Sequence, residues 1–510
     1  MPLSLLLLIR VASGQATMSI AFVDAKSGEP IPCRVELRDS KGRSQKSRSA
    51  LYHPPWNIAS GEFVFRGKSG DYTFDVFHGP EYSSGGGGFT LDRTGQGSDT
   101  VRLPRHADML GEGWMAGDLL CYLRTDEAAA WLPAEGLHMA ALTNRHHGDS
   151  ASGSQVAPPS KDPAIMPAIM PAIDGPHLLP DRRWCNVGTY YDDRSGSGIA
   201  FHHWQPPAAV RDDVPSGRLL VMAKQAPQTH AEIVRLWARD APVWLASGRV
   251  DSIQVLSEHV VRDGRPAIKL SEMFHPEPNM FQGPRGPGRL VENLYWQVLE
   301  TGLRIPPSAG SGTGRSGSPL GYNRVYVAQA TSPLSPESWW EGLRAGRSFV
   351  TNGPLLRATI NAELPGHVFQ VRADEKLTLD VALSLTVADP VEYVDVIFNG
   401  EAIHHARLDE YAKAGGKIPP LAVDKCGWII IRVVTQNDAT YRIATTAPFY
   451  VEQAGQSRVS RAACQMFERW LTSSIDDQTR QAPASAQLAA PYTSAALDFW
   501  RKRSAMANSD

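Results

Sequence analysis

The segment Gly113-Trp114-Met115-Ala116-Gly117-Asp118-Leu119-Leu120-Cys121-Tyr122 decides how this chain is read. It reads as a strand. Successive side chains of a strand turn to opposite faces, so Asp118, Leu120 and Tyr122 share one face while Leu119 and Cys121 share the other. Leucine has no lone pair, and a phenol is a poor ligand for zinc. The face therefore carries one carboxylate, Asp118, and no chelating pair beside it. Cys121, on the opposite face, reads as a buried thiol.

At 510 residues the chain has room for about three domains of ~100–200 residues each. It is 42% hydrophobic and 20% charged, with a formal net charge of −2. That balance gives no electrostatic reason to expect nucleic acid or an acidic membrane as a partner. The apolar run Leu3 to Ile9 precedes Arg10, and the small residues Gly14 and Ala16 fit secretory cleavage after Ala16. Residues 1–16 are thus expected to be a signal peptide, and the product secreted or periplasmic. No other apolar run reaches the ~18 residues of a membrane helix, so no integral membrane span is expected. Cys33, Cys121, Cys185, Cys426 and Cys464 are odd in number and widely spaced, without a Cys-x-x-Cys pair. They form neither a disulfide framework nor a zinc ribbon.

Outward from the opening segment, residues 17–105 alternate as strands, for example Arg34 to Arg38 and Tyr72 to Val76. They look like a small transthyretin or carboxypeptidase-regulatory β-sandwich. Residues 106–355 mix helices with apolar strand patterns at Met139 to Leu142, Leu219 to Ala223, Ile253 to Leu256 and Arg324 to Val327, which suggests α/β architecture. One helix is well punctuated, with Ser335 as N-cap, Pro336 first, Trp339, Trp340 and Leu343 on its apolar face, and Gly346 as stop. A proline every fourth residue from Pro163 to Pro171 marks 150–176 as an extended insertion. Residues 356–455 return to strands, with a hairpin turn at Asn399-Gly400, and look like an immunoglobulin-like sandwich. The remainder, 456–510, reads as one amphipathic helix to about Ile475 and a poorly ordered tail.

Several blocks together carry a resemblance: Trp114 to Leu119, Asp240 to Ile253, Gly302 to Ser311, Gly321 to Val327 and Gly342 to Gly353. In this order they resemble the CehA/McbA-type branch of the polymerase and histidinol phosphatase (PHP) superfamily, over residues 113–354. The resemblance implies a multidomain α/β plus β chain: a PHP-like distorted (β/α)7 barrel flanked by two β-sandwich domains. It also implies metal ions at the barrel mouth and hydrolysis of ester or phosphoester bonds. The family's first histidine pair falls on Leu120 and Tyr122. Glu135 falls on an acidic element, His230 and His259 on two histidine elements, and Glu232 lies two residues beyond His230. The later ligand clusters fall on Thr143-Asn144-Arg145 and on Gly310 to Gly314, neither of which supplies ligands.

Asp118, Glu135, His230 and His259 are then the remaining candidates for a divalent ion such as zinc, manganese or iron. Three ligands and an open position suffice for a catalytic zinc. Glu135 or Glu232 would act as base, and Arg324 would polarise the leaving oxyanion. The bland alternative is that these are inherited side chains held by hydrogen bonds and that no metal binds, which the loss of a chelating pair favours. His147 or His203 could each supply one replacement imidazole, although exposed loop histidines are the simpler reading. Gly310 to Gly317 lacks the Gly-Lys-Ser/Thr of a phosphate loop. Trp339 and Trp340 are expected in the core, and neither Ser308 nor Ser311 has a nucleophile signature. Three functions follow: a pseudoenzyme that binds a small molecule or glycan in the old mouth, a metal-dependent hydrolase, or a structural envelope module. The first is favoured.

Overall fold

The computed structural model describes residues 16–93, 95–144, 176–207, 213–262, 268–329, 335–373 and 375–510. The expectations for the leader, for nearly all of the proline-rich insertion and for His147 lie outside the described residues.

The chain divides into two compact units, one up to Asp108 with Pro133–Gly136, the other Met109–Leu132 with Leu137–Asp510. In the first, Thr17–Asp24 lies between Glu62–Arg66 and Gln96–Leu103. A second sheet runs Leu51–His53, Trp56–Ala59, Cys33–Asp39, Gly70–Phe77, Gly85–Leu91. Alternate residues of Thr17–Asp24 are buried, as period-two patterning requires. Ile20, Phe22, Val35, Leu37, Phe63, Phe74 and Val76 from both sheets join in one core.

The second unit is built on a 16-stranded mixed sheet. Its path runs Pro307–Ala309, Ser252–Leu256, His230–Ile233, Ile199–His202, Arg183–Asp192, Met139–Asn144, Trp114–Cys121, Arg324–Ala328, Ser348–Thr351, and on into Ile443–Thr446, Gly427–Thr435 and Val391–Phe398. The expected fold class, an α/β chain with a PHP-like (β/α)7 barrel, is overturned. The protein is mostly sheet, 37% strand against 23% helix, and among the described residues there are large mixed sheets, few helices and no evident helical barrel. The reason lies in the connections. Arg183–Asp192 pairs antiparallel with Ile199–His202, which pairs antiparallel with His230–Ile233. Trp114–Cys121 and Arg324–Ala328 also run antiparallel. Antiparallel neighbours need no helical crossover. Leu219 to Ala223, read as a strand, belongs to the helix Ser216–Ala223, with Leu219, Leu220 and Ala223 buried. A five-residue apolar run cannot be assigned by period alone.

The opening segment forms a fully buried strand, Trp114–Cys121. Gly117 has no room for a side chain: an added Cβ would lie 2.5 Å from Trp339. Trp339 donates Nε1 to the Met115 carbonyl at 3.1 Å. Its helix, Pro336–Arg344, keeps the Ser335 cap, and Trp339, Trp340 and Leu343 are buried. Past the end of the opening strand the sheet curls back. Gly312 N donates to Leu120 O at 2.7 Å and Tyr122 N to Thr313 O at 2.8 Å, so the loop after Pro307–Ala309 lies along Leu120 and Tyr122. Asn399 and Gly400 take left-handed φ of 52° and 83° between Val391–Phe398 and its antiparallel partner Glu401–Ala406, as an Asn-Gly hairpin requires.

The C-terminus is a helical pair, Arg461–Gln481 and Pro483–Ala505, where one helix and a loose tail were expected. Pro483 cannot continue the first helix but suits the first turn of the next. Trp500 anchors the second helix. It is fully buried, stacks 4.8 Å from Phe467 and donates Nε1 to Pro242 O at 3.0 Å. The five cysteines are free, all but Cys426 buried. Among the described residues no helix is long and apolar enough to cross a membrane.

Candidate functional site

Asp118 is fully buried. Its Oδ1 accepts from Leu120 N at 3.1 Å and Ser311 N at 2.9 Å, and its Oδ2 from Gly321 N at 2.8 Å. Burial pushes its pKa up to about 6 against the pull of these bonds. The carboxylate fastens two loops to the strand. Glu135 belongs to the first unit, where Arg34 Nε donates to it at 2.5 Å. His259 is buried and stands edge-on to Trp237, ring centroids 4.9 Å apart, with the Val255 backbone as its hydrogen-bonding neighbour. Burial lowers its pKa to about 3. Arg324 is 3% exposed and donates Nε to Gly321 O at 2.6 Å, so it serves the same loop that Asp118 holds.

His230 and Glu232 lie in a separate, fully buried polar network. Glu232 Oε1 accepts from Ser252 Oγ at 3.1 Å and from Ser308 Oγ. Its Oε2 accepts from Gln254 Nε2 at 2.7 Å and lies 3.1 Å from His202 Nε2. Those four donors fill the lone pairs of an acceptor-only carboxylate. Glu232 therefore has no lone pair left with which to act as base. Ser252 gives its proton to Glu232, so it accepts from His230 Nε2–H at 2.7 Å. That leaves His230 Nδ1 as a lone pair without a partner among the described residues. Burial holds the His230 pKa well below its usual value. Trp340 covers this end of the network, 5.0 Å from His202 and 4.8 Å from His230. His203, the replacement imidazole considered above, takes a left-handed φ of 59° and lies against Trp340 at 5.1 Å, outside the Glu232 contacts. Asp118 and Glu135 are spent on other donors, and among the described residues no three His, Cys, Asp or Glu side chains gather where they could hold a metal ion.

A third group, unread in the sequence apart from Tyr122, lies where the Trp114–Cys121, Arg183–Asp192, His230–Ile233 and Ser252–Leu256 strands end. Tyr122, Tyr191, Ala200 and Val234 pack with Leu120. Arg235 donates Nε and an Nη to Glu258 Oε1 at 2.9 and 2.6 Å. Arg315, on the loop beside Tyr122, donates to Asp193 Oδ2 at 2.8 Å. The Arg235 guanidinium lies 5.7 Å from the Tyr191 ring centroid and that of Arg315 lies 5.8 Å from the Tyr122 ring. The hydroxyls of Tyr122, Tyr191 and Thr313 are buried and have no hydrogen-bond partner among the described residues. Burial is the main cause that raises both phenol pKa values, so both stay neutral donors at pH 7. Buried polar atoms without partners occur elsewhere in the fold, at Thr143, Trp184 and Trp340 among others; this group differs in that Tyr122 and Tyr191 pack in one cluster and Thr313 is bonded to the Tyr122 backbone. The run Tyr190-Tyr191-Asp192-Asp193 was the available signal: paired aromatics followed by paired acids at a strand end.

The fold and site thus define a mixed-sheet β protein with a tyrosine–arginine cluster at one set of strand ends. No family model and no curated protein matches the chain. Among solved structures it is similar to crystal structures of the N-terminal four Ig domains of Dscam1 isoforms 4.44, 7.44 and 8.4. Identities are 11%, 11% and 10%, with TM-scores of 0.14, 0.15 and 0.12. Each alignment covers 86% of this chain, and 73%, 73% and 100% of the others. Likeness at that level bears on neither fold detail nor function.

Proposed function

We propose that this protein binds a small polar molecule at the Tyr122–Tyr191 cluster and neither uses a metal there nor hydrolyses its ligand. The observation that carries the reading is the pair of buried tyrosine hydroxyls without partners, flanked by Arg235 and Arg315. A group left unsatisfied in a folded core costs about 1–3 kcal/mol, a cost more readily kept where a ligand supplies the missing bond. The motif resemblance adds support, since it places metal-binding imidazoles where this chain has Leu120 and Tyr122. The apolar run Leu3 to Ile9 supports export of the binding protein as part of the same proposal.

The double variant Tyr122→Phe/Tyr191→Phe tests the reading without any ligand. It removes two orphan hydroxyls and keeps both rings. Its urea midpoint should equal or exceed the parent's, by up to about 1 kcal/mol of stability. A fall of about 1 kcal/mol or more would mean that both hydroxyls are bonded within the fold, and the binding reading would be lost. Near-stoichiometric zinc, manganese or iron in protein purified without a metal-affinity tag, absent from His230→Ala, would instead restore the hydrolase.

A further inference from the structure

We infer that the ligand of the Tyr122–Tyr191 cluster is an uncharged polyhydroxylated molecule, a sugar or cyclitol ring, and not a phosphoester or other ion; the inference rests on the binding reading above. Charge and hydrogen-bond supply decide the ligand class. Arg235 and Arg315 are each matched by one carboxylate, Glu258 and Asp193, so the cluster's formal charge is balanced. A phosphate brought to these arginines would meet two carboxylates already bonded to them. Like charges at such range repel strongly in a partly buried setting. A cation would meet the guanidiniums in the same way.

A hydroxyl has no such conflict. It donates and accepts at once, and the cluster offers both kinds of partner side by side. The contacts from Arg235 both fall on Glu258 Oε1, and that from Arg315 falls on Asp193 Oδ2, which leaves Glu258 Oε2 and Asp193 Oδ1 to accept. The remaining guanidinium N–H groups can donate. The Tyr122, Tyr191 and Thr313 hydroxyls can do either, and they are the groups that lack partners. Adjacent hydroxyls of one ring would span such an alternation of donors and acceptors. Entry falls to Arg315. Its side chain is 43% exposed, against 18% for Arg235 and 6% for Glu258, and it rides on a loop whose Gly312, Gly314 and Gly317 take left-handed φ of 66°, 91° and 75°.

The test is saturation-transfer NMR with calorimetry on the full chain. The neutral probes are methyl glucoside, methyl galactoside, methyl mannoside, N-acetylglucosamine and myo-inositol. The charged probes are glucose 6-phosphate, glucuronate, glucosamine and inorganic phosphate. At least one neutral probe should bind saturably and more tightly than every charged one, and Tyr122→Phe/Tyr191→Phe should weaken it about tenfold or more. Glu258→Gln, which keeps the side chain's shape, should weaken it as well. A charged probe that binds best, through the same tyrosines, overturns the ligand class and leaves the binding reading standing. Binding of a neutral probe that ignores the tyrosine variant overturns both. If none of the neutral probes binds, the inference fails, and the urea experiment on the tyrosine variant still decides the reading beneath it.

Discussion

Glu232→Ala is expected to destabilise the protein by roughly 3–5 kcal/mol, the usual cost of removing one partner from a buried charged network. Four side chains direct their donors at this carboxylate: Ser252, Ser308, Gln254 and His202. All of them are fully buried, so water cannot take over when the acceptor goes. Domains are stable by about 5–15 kcal/mol in total, and the soluble yield should fall along with the urea midpoint. Glu232→Gln should recover less than half of the loss, because its amide nitrogen faces two donors where an oxygen is needed. A free catalytic base would behave differently, losing activity while its stability stayed near the parent's. An alanine variant with the parent's urea midpoint would therefore sink the account of Glu232 as a structural hub.

That contrast shows where sequence reasoning reaches and where it stops. The helix Pro336–Arg344 was legible because its cap, first-turn proline and stop all sit within the segment itself. The Asn399-Gly400 hairpin was legible for the same reason. The mixed sheet was not. Which strand Arg183–Asp192 joins, and in which direction, depends on residues far along the chain, and two antiparallel pairings suffice to break the run of helical crossovers that a parallel (β/α)7 barrel needs. At the site, the alternation of the opening strand singled out Asp118, Leu120 and Tyr122. It could not say that Asp118 would be occupied by the backbone of Ser311 and Gly321, since those loops become its neighbours only after folding. Likewise Tyr122 stands out in the sequence only as a side chain that cannot chelate. Its meaning comes from Tyr191, which packs in the same cluster, and from Arg315, which the curling of the sheet brings to its ring. The C-terminal pair was missed because the Pro483–Ala505 helix buries little besides Trp500 and Ala496, leaving a faint apolar stripe to read.

Lowering the pH from 7.5 to 5 is expected to remove a large share of the protein's stability, through histidines that the fold keeps neutral. Burial depresses His138 and His259 to about 3 from the ordinary 6.5. His138 is further constrained because its Nδ1 faces the backbone N–H of Ala116 at 3.3 Å. Below pH 6.5 the unfolded chain takes up these protons and the folded chain does not, so stability falls as pH falls. At about 1.4 kcal/mol per pH unit per group, the two withdraw roughly 4 kcal/mol by pH 5. His230 is depressed in the same sense by its burial and adds to the loss. Asp118 opposes them. Its pKa is raised to about 6 in the fold, so the penalty it carries at neutral pH is relieved as pH falls through 6, returning roughly 1 kcal/mol by pH 5. The histidines win, and urea midpoints should drop steeply between pH 6.5 and 5. His259→Phe keeps an aromatic edge against Trp237 and removes one titrating ring. It should shrink the difference between the two pH values by roughly 2 kcal/mol. If parent and variant lose stability equally over that interval, His259 takes up its proton as readily in the fold as in the unfolded chain, and the account of a buried ring held neutral is wrong.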